Sequence, residues 1–190
     1  NYELISIGDF ELAEGGKIPN LELAVRTLGT LNAEKSNAIL ITTWFSGTSK
    51  IMEDVYVGKG RAIDPDKYFV VIVNQIGNGL STSPWNADES IIRSKFPFVR
   101  IEDDVKAQYK LLTEHFGINK LELVVGGSMG AQQTYEWAVR CPDFMKRDAP
   151  IAGYANNTDH DFFLARTSMD TITFTTAFKN GQNQTLARMN

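Results

Sequence analysis

Val124-Val125-Gly126-Gly127-Ser128-Met129-Gly130-Ala131-Gln132-Gln133 is the stretch on which the fold turns. A largely apolar run, Leu121 to Val125, leads into it. A helical pattern follows, with Tyr135, Ala138 and Val139 as its apolar positions. Strand, sharp turn and helix in that order fit G-x-S-x-G, with Gly126, Ser128 and Gly130 in the fixed places. A serine in such a turn sits in a strained backbone conformation, and a side chain at either glycine would collide with the adjoining strand or helix. The strain holds the hydroxyl at the head of a helix, where backbone N–H groups stabilise an oxyanion. Ser128 is therefore the candidate nucleophile. Two other readings of such a turn are a glycine turn that lets a helix pack closely on a sheet, and a phosphate cradle. The cradle is the weaker: no Gly-Lys-Ser/Thr ending follows, and no second glycine at dinucleotide spacing leads to an acid on a strand.

Upstream, Glu102 to Phe116 reads as a helix with Val105, Tyr109, Leu112 and Phe116 on one face and Gly117 as its stop. Tyr68 to Val73 and Ala38 to Thr43 are short, nearly apolar runs, as expected of strands covered on both faces. Between these strands, Trp44-Phe45-Ser46-Gly47-Thr48-Ser49 leaves the sheet, which is where an open α/β sheet builds its site. Residues 53–61 carry a mixed pattern, and Asp64-Pro65-Asp66 is a turn. Asn74 to Pro97 is a long loop, a length associated with functional loops or lids. Residues 3–31 read as two strands around a Gly15-Gly16 turn, the second alternating at period two from Leu21 to Leu28. Downstream, Asp148 to Gly153 is the next strand. Asn156 to Asn190 is polar, with a weak helical pattern over Phe163 to Phe178. The alternation predicts an α/β fold: a mostly parallel sheet with helices on both faces.

The 190 residues are enough for one sizeable core, and 43% hydrophobic content fits a globular rather than a disordered chain. A net charge of −4 argues against nucleic acid as a partner. No apolar run approaches the roughly 20 residues of a membrane span. The start, Asn1-Tyr2-Glu3-Leu4, has neither a basic region nor an apolar signal core and lacks Met. The expectation is a trimmed or processed cytoplasmic chain. Cys141, alone, cannot form an internal disulfide and reads as buried filler. Asn156-Asn157-Thr158 and Asn183-Gln184-Thr185 match the glycosylation pattern without a secretion signal to support it.

Several motifs in one order resemble the homoserine O-acetyltransferase family of the α/β-hydrolase fold. Arg26-Thr27-Leu28-Gly29-Thr30-Leu31-Asn32 is similar to "Y-R-T-Y-G-x-L-N", and Gly58-Lys59-Gly60-Arg61-Ala62-Ile63-Asp64 to "G-x-G-K-A-I-D". Tyr68-Phe69-Val70-Val71 before Asn74-Gln75-Ile76-Gly77 is similar to "Y-F-V-I…N-x-L-G". Gly126-Gly127-Ser128-Met129-Gly130 with Gln133 and Glu136-Trp137-Ala138 is similar to "G-G-S-M-G-G-M-Q-x-L-E-W-A". The resemblance runs from about Leu4 to Gly181. It implies an acyl-accepting Ser128, with one oxyanion N–H from Met129 and a second from Phe45, since Trp44-Phe45-Ser46-Gly47 stands in the place of "A-L-T-G". It also implies acetyl transfer from acetyl-CoA (or another acyl-CoA) to a substrate hydroxyl through an acyl-serine, with no tightly bound cofactor and no metal. The chain departs from the family pattern at Thr43, where the family has His, at Glu102, where it has Arg, and at Gly130-Ala131-Gln132-Gln133, where it has "G-G-M-Q". These departures surround the acyl pocket and leave the acceptor open. A serine ester hydrolase on the same scaffold and an inactive homologue are the alternatives.

A serine needs a base and an acid to orient it, and in this fold they follow it in the order Asp/Glu, then His. Only one strand follows Ser128. His115 precedes the serine and reads as a helix-end residue. His160, in Asn157-Thr158-Asp159-His160-Asp161, has the right order but falls where the family begins its cap; it is the weakest of the candidate site residues. Asp143, Asp148, Asp159, Asp161 and Asp170 are candidate acids, and Asp148, entering a strand, would need a partner. The organisation expected is an α/β-hydrolase core over 1–155, incomplete at its C-terminal end, and the start of a helical cap over 156–190. A further C-terminal segment or a partner chain would complete the sheet. The substrate expected is a small molecule, and a homodimer is a candidate assembly.

Overall fold

Ala38-Ile39-Leu40-Ile41-Thr42 is buried along its whole length because it forms the middle of a six-stranded sheet with helices above and below. The computed structural model describes residues 1–174. Its strands are β1 (Glu3–Ser6), β2 (Phe10–Glu11), β3 (Lys17–Ile18), β4 (Glu22–Leu28), β5 (Ala38–Thr42), β6 (Phe69–Val73), β7 (Leu123–Gly127) and β8 (Asp148–Ile151). The helices are α1 (Ser49–Tyr56), α2 (Ile101–Lys110), α3 (Met129–Arg140) and α4 (Asp159–Thr173). The main sheet runs β1-β4-β6-β5-β7-β8. The four strands from β6 to β8 are mutually parallel, and β4 joins β6 antiparallel, with Val25 opposite Val73 and Leu28 opposite Val70. β2 and β3 form a separate small hairpin that the sequence pattern does not distinguish from its flanking strands.

Alternate residues of β5 and β6 face opposite layers. Ala38, Leu40, Val71 and Val73 join Val105, Leu111, Leu112 and Trp137 in the layer covered by α2 and α3. Ile39, Ile41, Val70 and Ile72 join Met52 and Val57 in the layer covered by α1. α2 ends in a π-helical turn, Leu111–His115, and stops at Gly117, whose φ of +64° few other residues adopt without strain. His115 is exposed there with its ring edge on Phe116, as expected of a helix-end residue.

Three expectations are corrected by this architecture. The mixed pattern at 53–61 conceals the end of α1, a helix with only Ser49 and Met52 buried; Thr48 caps it by accepting the Ile51 N–H, and Glu53 pairs with Arg26 of β4 at 2.9 Å. The apolar positions assigned to the helix after the elbow do not face the core: Val139 is 79% exposed, and the buried face of α3 is Gly130, Ala131, Gln133, Thr134 and Trp137. Asp148 stands exposed on β8 and needs no partner.

The long loop is tied down rather than free. Thr82 exchanges hydrogen bonds with the Glu22 backbone, and Ser81 accepts from Ala24 N–H at 2.9 Å and donates to the Asn74 carbonyl at 2.6 Å. Of the weak helical pattern, the described part is α4; Phe178 and the Asn183 glycosylation match lie outside the described residues. Among the described residues, no helix is long and apolar enough to cross a membrane.

Candidate active site

The turn from β7 into α3 holds Ser128 at φ 50° and ψ −121°, a conformation that costs a non-glycine residue on the order of 1–3 kcal/mol. Two contacts fix it. The Ser128 N–H donates to the Ile151 carbonyl at 3.0 Å, and the Ser128 carbonyl accepts from Ala131 N–H at 2.9 Å, opening the helix. The side chain is left exposed at the N-terminus of α3.

The flanking glycines are needed for close approach. A methyl on Gly126 would collide with Thr42 Oγ1 and the Gly130 carbonyl, and one on Gly130 would lie 2.8 Å from the Thr42 carbonyl oxygen. Thr42 Oγ1 donates to the Gly130 carbonyl at 2.8 Å, so β5 and the first turn of α3 are stapled directly behind the serine. Gly127 is equally constrained: a methyl there would meet the Trp44 indole and lie 2.6 Å from the Tyr56 hydroxyl. Gly126→Ala is expected to cost about 1–3 kcal/mol by overpacking. Thermal unfolding checks this; a wild-type melting temperature would mean that the turn has room for a methyl.

Phe45, Ser128 and Met129 line one cavity of about 540 Å³. Among the described residues, neither the Phe45 nor the Met129 N–H donates to an acceptor within the chain. Uncommitted backbone donors are what oxyanion stabilisation needs. Leu164, Ala165, Ser168 and Met169 of α4 form the opposite wall. The one charged side chain in the described lining is Asp161, and it is already engaged. Thr158 caps α4 and donates its hydroxyl to the Asp161 carboxylate at 2.5 Å, while the Asp161 N–H donates back to Thr158 Oγ1 at 3.2 Å.

His160 lies in the first turn of α4, exposed, and is not part of this lining. Of the other candidate acids, Asp143, Asp148 and Asp159 are exposed, and Asp170 pairs with Arg166 at 3.0 Å. Cys141 is partly buried against the core, and that burial raises its thiol pKa, against nucleophilic use. Glu102, standing in an arginine's place in the resemblance, pairs with Arg140 of α3. Among the described residues, no group of three His, Cys, Asp or Glu side chains is placed to hold a metal ion.

A family model described as "alpha/beta hydrolase fold" matches residues 52–182. The chain belongs to the alpha/beta hydrolase fold family. It is 59% identical over 180 residues to an ethyl acetate hydrolase of Pseudomonas veronii, covering 95% of this chain and 52% of that protein. The solved structure of an acetylester hydrolase from Corynebacterium glutamicum superposes with a TM-score of 0.91 at 57% identity, covering 96% of this chain and 52% of that one. A homoserine O-acetyltransferase of Methanobrevibacter ruminantium is 35% identical, covering 90% of this chain and 38% of that protein. The resemblance read from the motifs therefore holds. The chain spans about half the length of the first two of these relatives.

Within an alpha/beta hydrolase the buried glutamines are what sequence reading overlooked. Gln75, Gln108 and Gln133 are at most 4% exposed and are bonded to one another beneath the elbow. Only the spacing Gly130, Gln133, Thr134, Trp137 hints at it, since it is a helical face.

Proposed function

We propose that the protein carrying this chain is a serine ester hydrolase acting on short-chain, acetyl-type esters, with Ser128 as nucleophile and the Phe45 and Met129 N–H groups as the oxyanion site. The observation that carries this is the strained, exposed Ser128 opening with two uncommitted backbone donors into one cavity. The hydroxyl attacks the ester carbonyl, the oxyanion forms against the two N–H groups, and the alcohol leaves. Water then releases the acid from the acyl-serine.

The sequence motifs put acyl transfer first and hydrolysis second. Similarity to an ethyl acetate hydrolase at 59%, against 35% to a homoserine O-acetyltransferase, supports the reverse order. The cavity agrees. Its wall is mainly apolar, which suits a small neutral ester, and the Asp161 carboxylate repels a phosphate-bearing acyl donor. His160 stays the candidate named for the base, and its exposure outside the lining counts against it.

The test is acid release from ethyl acetate or p-nitrophenyl acetate by the full-length protein without added alcohol. Turnover in the ordinary enzyme range, about 1–10³ per second, is expected. Coenzyme A release from acetyl-CoA that depends on an added alcohol, with negligible ester turnover, would overturn hydrolysis in favour of transfer.

A further inference from the structure

A directed chain of side-chain hydrogen bonds runs beneath the elbow and ends on the residue after the nucleophile. Trp137 Nε1 donates to Gln108 Oε1 at 2.8 Å, and Gln108 Nε2 donates to Gln133 Oε1 at 2.6 Å. Gln133 Nε2 donates to Gln75 Oε1 at 3.0 Å, and Gln75 Nε2 reaches the Met129 sulfur at 3.6 Å. Gln133 Nε2 also lies 3.5 Å from the Thr43 carbonyl oxygen, and the Gln75 N–H donates to Thr43 Oγ1 at 3.2 Å.

We propose that Gln133, acting with Gln75, is a positioning residue that sets the distance between the two arms of the oxyanion site; this rests on the esterase reading above. One arm is the loop leaving β5, in which Thr43 precedes Phe45 by two residues. The other is the first turn of α3, in which Met129 precedes Gln133 by four, so that both lie on one helix face. The Gln133 amide touches the first arm at the Thr43 carbonyl and reaches the second through Gln75 and Met129. Thr43 and Gln133 are fully buried, so no water is at hand to replace a lost partner.

Direction makes the arrangement specific. Each glutamine donates through its nitrogen to the next acceptor, Gln108 and Gln133 to an amide oxygen and Gln75 to the Met129 sulfur, so reversing any one amide would set like against like along the chain. A head-to-tail chain of this kind polarises along its length in a low-dielectric interior. The arms are thereby held at one spacing before an ester binds, the condition under which oxyanion donors lower a barrier.

The positioning role separates from a merely structural one by what it changes. Gln133→Met and Gln75→Met in the full-length protein should each lower kcat for p-nitrophenyl acetate by roughly ten- to a hundredfold, less than outright removal of a donor. KM should stay within about twofold, because the ester's ground-state contacts are with the cavity wall. Affinity for a trifluoromethyl ketone, whose carbonyl adds Ser128 Oγ and places an oxyanion in the site, should weaken by the same factor as kcat/KM. Variants that remain folded by circular dichroism and keep wild-type kcat and ketone affinity would overturn the inference. If Gln133→Met does not fold, Gln75→Met decides alone by the same two readouts. Wild-type protein that a fluorophosphonate does not label at Ser128 would instead overturn the esterase reading, and this inference with it.

Discussion

Replacing Ser128 with alanine in the full-length protein is expected to lower kcat for acetyl ester hydrolysis by roughly 10⁴- to 10⁶-fold while leaving the melting temperature within a few degrees. The two halves of that expectation come from different atoms. In the proposed reaction turnover depends on Oγ, which would form the covalent bond; without it the proposed oxyanion donors would act only on direct attack by water. Stability depends on the backbone: the Ser128 N–H bond to Ile151 and the carbonyl bond from Ala131 survive the change. The positive φ strains alanine as it strains serine, and the exposed side chain contributes little packing. Steady-state kinetics and thermal unfolding on the same preparation check both halves. An alanine variant retaining turnover within tenfold of wild type would remove Ser128 from the chemistry.

The elbow was legible in the sequence because its requirement is steric and local. Gly126 and Gly130 are dictated by the approach of Thr42 and the helix backbone, so their spacing about Ser128 carries the motif. β5 was legible for a similar reason, since a strand buried on both faces must be apolar throughout. α1 was not, because it buries little beyond Met52 and turns charged Lys50, Glu53 and Asp54 outward or into ion pairs. The orientation of α3 was misread because its buried face carries Gln133 and Thr134, and amphipathicity assigns polar residues to solvent. These residues are inside because their partners are, and the partners come from three separate elements: Gln75 follows β6, Gln108 lies on α2 and Thr43 follows β5. Only the topology brings them together. Phe45 needed both kinds of information: the resemblance assigned its role, and the fold puts it on the cavity wall with Ser128.

Asp104→Asn is expected to raise stability at pH 8 by up to roughly 4 kcal/mol, and to leave it nearly unchanged at pH 4. Asp104 lies in the first turn of α2 at 3% exposure, and burial pushes its carboxyl up to about 7. The Ile76 N–H donates to it at 2.8 Å and offsets part of that rise, while the neighbouring Asp103 adds to it. Asp103 is buried too, accepting N–H bonds from Ala13 and Arg100. A folded-state pKa above the unfolded value of 3.8 means that the native state holds the Asp104 proton more tightly between pH 4 and 7. The stability this proton confers is complete below about pH 4, drains away as pH rises through 7, and is absent above it. Asparagine keeps an oxygen for the Ile76 N–H and has no charge to bury, so the variant should lack this slope. Chemical unfolding of both proteins from pH 4 to 8 measures the gap directly. It should open with pH and level off above 7; a gap that stays constant, or a wild type more stable than the variant at pH 8, would show that Asp104 is comfortably ionised in the fold.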